Sequence, residues 1–240
     1  MTDRFIPAPA TVLAVAPAAA ALTLVAAAGV GWLRVRHSVP APYTRKLFHF
    51  IIISAALGVQ LRWGLGGAIV YGGVVALAVL LALARGDGNP FYEALARPTD
   101  APHRTLFILV PLITTALGGL LSNLLFPVWA HVGYMAVAWG DAIGEPVGTR
   151  WGRHRYRVPS LAGVPATRSL EGSAAVLLAA VVAALVALLA SGVALHVAAG
   201  VAVAVGVATA AVEAVSNHGL DNLTIQLAAA GTAALLLSGG

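Results

Sequence analysis

Cysteine is absent from the 240 residues, which excludes disulfides, thiolate metal sites and a cysteine nucleophile, and leaves the redox compartment unmarked. Charge is scarce as well. Asp, Glu, Lys and Arg make up 10% of the chain, against roughly 25% in an ordinary soluble domain. Hydrophobic residues make up 60%, where roughly 45–50% is usual, and the two departures together exclude a soluble globular fold. A bilayer span needs about 20 apolar residues, so about six to eight spans consume nearly all of the apolar chain. No sizeable soluble domain is left over. The formal net charge of +5 raises the question of nucleic acid, but the basic residues fall in short segments between apolar runs. They read as topology determinants or anion ligands, and no nucleic-acid partner is expected.

What is present is a series of apolar runs. The first extends from about Ala10 to Leu33, behind Arg4, Pro7 and Pro9; it is longer than a signal-peptide core and reads as a spanning helix. Further runs lie at about 47–61, 64–84, 105–126, 128–147, 169–190, 193–215 and 222–238, each bounded by Gly, Pro or charge. The pattern predicts an all-α, polytopic integral membrane protein with about eight transmembrane helices, forming a single membrane-embedded domain over 1–240. If the short run at 47–61, which contains His49, does not cross, seven spans or a re-entrant segment follow.

Lys and Arg accumulate in cytoplasmic loops. Loop one holds Arg34, Arg36, Arg45 and Lys46; loop three holds Arg85, Arg97 and Arg104; loop five holds Arg150, Arg153, Arg155, Arg157 and Arg168. Only Arg4 and Arg62 fall on the alternate side. This predicts eight spans with both termini outside, and places the 45–49, 140–172 and 213–222 segments near the cytoplasmic face of a prokaryotic membrane. No internal repeat is evident, against the inverted repeats of many transporters.

Acidic residues number only nine, and Asp141, Glu145, Glu171, Glu213 and Asp221 lie in or beside apolar segments, where ionisable groups are costly and default to functional candidates. Asp141 and Glu145 are four apart and share a helix face, where two carboxylates can hold a divalent cation. With a helix end near Val147, Asp141 sits roughly 9 Å inside it, in a shallow pocket. Gly140, Gly144, Gly148 and Gly152 recur every fourth residue through the same segment. They serve tight helix packing or the close approach of a polyphosphate, whose oxygens Arg150, Arg153, Arg155 and Arg157 would neutralise. Lys46, the only lysine, follows Arg45 and precedes His49 at a helix entrance; it anchors the helix end by snorkelling or makes a specific contact. Ser169 and Glu171, after Arg168, form an ordinary helix start that is equally an anion site. A last polar cluster joins Glu213 to the segment Asn217-His218-Gly219-Leu220-Asp221-Asn222.

An Arg-Lys-x-x-His segment, a Gly-Asp-x-x-x-x-x-x-Gly segment, a basic-Ser-x-Glu-Gly-Ser helix start and a final Glu followed by Asp-Asn, in this order, resemble the polyprenol kinase family. That family comprises the CTP-dependent dolichol, phytol, farnesol and diacylglycerol kinases of membranes. The resemblance covers about 45–240 as a kinase-like catalytic region and leaves the first helix and loop, 1–44, unmatched. It implies that Arg45, Lys46, Asp141 and Gly148 belong to a nucleotide-handling core and that Glu171, Asp221 and Asn222 match the later motifs. The chain departs at Arg168, where the family usually has lysine, and at Glu145, which follows Gly144 where many phytol kinases have a small residue and then Asp.

The expected activity is transfer of the γ-phosphoryl group of CTP to an isoprenoid alcohol of the phytol, farnesol or dolichol kind, with Mg²⁺. Asp141, Glu145 and Asp221 are the expected metal ligands. Asp141, Lys46, Glu171 and Asp221 are the expected catalytic groups, a carboxylate orienting or deprotonating the alcohol. Arg45, Lys46, His49, Gly148, Arg150, Arg153, Arg168 and Asn222 are expected at the nucleotide and its phosphates. Membrane lipids are the surroundings, and the Ala/Gly helix faces allow a homodimer. The same groups would serve a CTP-dependent phosphatidate cytidylyltransferase, and intramembrane acids with glycine-broken helices also suit a small-solute transporter.

Overall fold

The computed structural model describes residues 5–217 and 219–237. It divides into two compact units, Met1–Leu109 and Val110–Gly240. The first contains α1 (Pro9–Arg36), α2 (Ala41–Arg85) and α3 (Pro90–Leu95), followed by the start of α4 (Leu106–Leu125). The second contains the rest of α4, then α5 (Ala130–Ala136), a π-helical turn (Val137–Asp141), α6 (Ala142–Trp151), a hairpin of β1 (Arg155–Leu161) and β2 (Val164–Ser169), and α7 (Leu170–Ala190), α8 (Leu195–Val215) and α9 (Asp221–Leu237).

Among the described residues, five helices are long and apolar enough to cross a membrane: α1, α2, α4, α7 and α8. Six of the eight expected segments fall on these five helices. The runs at 47–61 and 64–84 are one helix of 45 residues, broken at Gly64 by φ 57° and ψ −149°, a conformation open only to glycine. A straight helix of that length would measure about 68 Å, more than twice the roughly 30 Å hydrocarbon core, and the break at Gly64 divides α2 into two helical segments. The expected run at 128–147 is helical without interruption from Ala130, with a π-helical turn at Val137–Asp141 between α5 and α6. The run at 222–238 corresponds to the 17 residues of α9.

The first unit is tied together at α3. Thr44 Oγ1 donates to the Ala94 carbonyl at 2.7 Å, and Tyr92 OH bonds Thr105 Oγ1 at 3.0 Å. Arg104 donates to Glu93 at 2.7 Å and to Asp87 at 2.6 Å. Burial alone would raise the Glu93 carboxyl, but Arg104 and the Gly88 N–H bonded to it hold it below the usual carboxylate range.

In the second unit α9 carries side-chain amides into its neighbours. Gln226 Nε2 donates to the Thr115 carbonyl at 3.2 Å, and Gly133 of α5 lies so close to the Gln226 backbone that a Cβ there would meet its carbonyl oxygen at 2.5 Å. α7 and α8 approach closely where Gly206 of α8 lies against Val181 and the Leu177 carbonyl of α7, and both helices bury small residues, among them Ala180, Ala183, Ala184 and Ala187 on α7 and Ala198 and Ala202 on α8. Small side chains let helix backbones approach and gain dispersion where lipid offers no hydrophobic drive. Among the described residues the regular structure is helical apart from the hairpin, which pairs Arg155 with Ser169 and Arg157 with Thr167 and turns through Ala162 and Gly163 at φ 50° and 73°, as a two-residue hairpin turn requires.

Candidate active site

Arg45, Lys46 and His49 lie in the second and third turns of α2, in the first unit. Lys46 is 5% exposed; Arg45 and His49 are half-buried. Arg45 buries Nη1 without a hydrogen-bond partner, a charged donor still open to an acceptor.

The other expected residues belong to the second unit. Asp141 closes the π-helical turn and is 4% exposed; single π turns inside helices are frequent at functional sites. Glu145 follows one turn later on α6 and is half-buried. The glycine ridge faces α7. A Cβ at Gly140 would touch Val176 and Ala180, one at Gly144 would collide with Val176, and one at Gly148 would lie 3.1 Å from Ser169 Oγ. The ridge therefore serves helix packing. Gly148 and its neighbours bring the carboxylate-bearing helix against the start of α7, with Asp141 and Glu145 on the adjoining face.

α6 ends at Gly152, and the segment beyond it is secured by Glu171. This side chain accepts from the Arg153 N–H at 3.1 Å, from the His154 N–H at 3.3 Å and from the His154 ring at 2.7 Å. Ser169 caps α7 by accepting from the Gly172 N–H at 3.1 Å. Arg150 is exposed and stacks over Trp151, and Arg153 is exposed beside it. The hairpin then alternates: Tyr156, Val158, Val164, Ala166 and Arg168 are half-buried, while Arg155, Arg157 and Thr167 are exposed. The segment expected as a loop is thus a hairpin, and its signal in the sequence is the alternation Arg-Tyr-Arg-Val with Gly163 at the turn.

Arg168 is the hub of the site. Its Nη1 is paired with Glu213, its Nη2 with Asp221 at 2.9 Å, and Nη2 also donates to the Ser216 carbonyl at 3.3 Å. Only 10% of the arginine side chain and 6% of either carboxylate is exposed. One guanidinium between two carboxyl groups joins β2 to α8 and α9. Asp221 has a second duty, its Oδ1 accepting from the N–H groups of Gly219 and Asn222 at 3.0 Å, as a cap for α9. Asn222 donates to Thr115 Oγ1 at 2.7 Å and so ties α9 to α4. Beyond Glu213 the network continues through Ser173, which donates to Glu213 at 3.3 Å, to Tyr156 at 2.8 Å. Arg4 and His218 lie outside the described residues.

No three His, Asp or Glu side chains among the described residues converge as a metal cage. Mg²⁺ does not need one: it is held through one or two carboxylates, with phosphate oxygens and waters completing its octahedron. Asp141 and Glu145, one turn apart, are a donor set of that kind.

The chain is 34% identical over 196 residues to a protein of Synechocystis sp. named phytol kinase, covering 80% of this chain and 78% of that one. No family model matches it, and no solved structure matches it.

Proposed function

The chain belongs to the polyprenol kinase family, which includes the phytol kinases, and on that premise we propose that it transfers the γ-phosphoryl group of CTP to an isoprenoid alcohol, phytol before others. The likeness to a phytol kinase over most of both chains carries this reading. The accumulation of Arg and Lys in alternate loops supports a reaction at the cytoplasmic face of a prokaryotic membrane.

Phosphoryl transfer asks a protein for charge neutralisation and in-line placement more than for covalent help. In this reading Asp141 and Glu145 hold Mg²⁺, which when bound neutralises charge on the phosphates. Arg150 and Arg153, exposed beyond the end of α6, take phosphate oxygens, and Arg45 and Lys46 are assigned to the nucleotide by the family motif they carry. Arg168, with both terminal nitrogens engaged by carboxylates, and Gly148, packed on α7, position these groups. Asp221 holds Arg168. The apolar tail of the acceptor lies among the helices.

The test supplies purified protein in detergent with Mg²⁺, each nucleoside triphosphate in turn, and a panel of isoprenoid alcohols with phosphatidate. The expected products are nucleoside diphosphate and a lipid monophosphate, fastest with CTP and phytol. Pyrophosphate with a nucleotide-linked lipid would overturn the reading in favour of a cytidylyltransferase.

A further inference from the structure

Glu213 is a buried acid inside a helix long enough to cross a membrane, and pairing with Arg168 occupies only one side of it. One oxygen, Oε1, faces Arg168; the other, Oε2, receives the hydroxyl of Ser173 at 3.3 Å. Serine has a single hydroxyl hydrogen. Because Ser173 gives it to the carboxylate, the 2.8 Å contact between Ser173 and Tyr156 must have Tyr156 as donor. A chain of one direction results, from Tyr156 on the hairpin through Ser173 at the start of α7 to Glu213 on α8. Its outer end lies between Arg155 and Arg157, both exposed.

A second observation bears on the inner end. Thr209, one turn before Glu213 on the same face of α8, is fully buried, and its Oγ1 has no hydrogen-bond partner. Its methyl group lies 3.5 Å from where a Cβ would stand on Gly140, the residue before Asp141. The unpartnered hydroxyl, the buried carboxylate and the Asp141 turn are thus close neighbours. A buried hydroxyl without a partner marks a place for a polar group that the protein does not supply.

We propose that Glu213 is the base that takes the proton of the acceptor alcohol, and that Ser173 and Tyr156 relay this proton to the hairpin surface; the proposal rests on the kinase reading above. As the alcohol oxygen bonds to the γ-phosphorus, the bond from that phosphorus to its bridging oxygen breaks, and the electron pair leaves with the nucleoside diphosphate. The alcohol proton passes to Glu213 Oε2. With Glu213 protonated, the Ser173 and Tyr156 hydroxyls rotate outward; Glu213 then donates its proton to Ser173 Oγ, the hydrogen of Ser173 passes to the Tyr156 oxygen, and the hydrogen of Tyr156 passes to water. This transfer itself leaves Tyr156 donating to Ser173 and Ser173 donating to the carboxylate, which is the starting arrangement. Thr209 Oγ1 receives or donates a hydrogen bond to the alcohol while it waits.

The test compares wild type with Tyr156→Phe, Ser173→Ala and Glu213→Gln in detergent, measuring kcat and both KM values with CTP and phytol at fixed pH and ionic strength over a series of imidazole buffer concentrations. Tyr156→Phe removes one oxygen from a half-buried ring and leaves the Arg168 pairs in place. The relay predicts that Tyr156→Phe and Ser173→Ala lower kcat by about tenfold with both KM values within about twofold, and that imidazole, acting as a mobile proton acceptor, restores the rate. Glu213→Gln should lose about 10²-fold or more and not be restored. Wild-type kcat in Tyr156→Phe and Ser173→Ala, or a loss indifferent to buffer, overturns the relay while the kinase reading stands. Failure of wild type to phosphorylate any alcohol overturns the kinase reading, and the relay with it.

Discussion

An aspartate that is 4% exposed at the end of a π-helical turn is there at a cost, because desolvation disfavours the charged form. Asp141→Asn keeps the shape and removes the charge. Turnover with CTP and phytol should fall by orders of magnitude while the thermal midpoint in detergent stays near that of wild type, and near-normal turnover at saturating Mg²⁺ would remove Asp141 from the cation site. Arg168 makes a different point. The resemblance by itself implies that Arg168→Lys is mild, since lysine is the residue expected there from the family's motif. The side chain instead spans two carboxylates with two nitrogens, and an ammonium is a point charge that cannot reproduce the fork. One buried carboxylate is left short of a partner, at a cost on the order of 1–3 kcal/mol. Arg168→Lys should therefore lower the thermal midpoint, and an unchanged midpoint would show that lysine bridges both acids.

At the level of elements, the glycine ridge is the contact that sets α6 on α7. A methyl group added at Gly144 runs into Val176, whose β-branched side chain has little rotamer freedom in a helix. Gly144→Ala should destabilise by about 1–3 kcal/mol through overpacking, and Val176→Ala in the same chain should recover most of that loss; additivity of the two changes would refute the contact. Elements also show what a sequence can and cannot reveal. Long apolar runs exposed α1, α4, α7 and α8 within a few residues of their ends, because apolar length is what the bilayer demands. The π turn inside the 128–147 run was not legible, since it has no periodicity of its own, and neither was the merging of two runs into α2, since Gly64 punctuates a kinked helix and a loop alike. The hairpin was hidden by its five-arginine neighbourhood. The candidate acids stood out as charge in apolar sequence, whereas the use of Glu213 and Asp221 on a single arginine depends on contacts between residues 45 or more apart along the chain. A third element, α3, carries an ionic cluster with a pH signature. The Glu93 carboxyl is held below the usual range, so its contribution is fully present above the unfolded value and is lost as pH falls through the folded one. Acidification should lower the thermal midpoint of wild type more steeply than that of Glu93→Gln; the effect is modest because Glu93 is partly solvated, and parallel curves would place the acid sensitivity elsewhere.

Across the whole molecule, the basic residues are distributed far more unevenly than the helices. Twelve of the 14 fall in alternate loops, a bias that the membrane potential and insertion machinery read as orientation. The hairpin adds weight to it, since the Arg155 and Arg157 side chains are exposed and need an aqueous surface. A chain free of cysteine makes the orientation directly measurable, because a single introduced thiol is the only reactive one. Arg36→Cys and Arg155→Cys sit in two of the arginine-rich loops, and Leu220→Cys, at a position 41% exposed, sits between α8 and α9. Arg62→Cys, beside the break in α2, sits on the alternate side. In intact cells an impermeant thiol reagent should label Arg62→Cys alone, and inverted vesicles should reverse the pattern for all four. Labelling of Arg155→Cys from outside would detach the hairpin, and with it the proposed phosphate-binding arginines, from the compartment that holds nucleoside triphosphates, and the kinase reading could not survive that outcome.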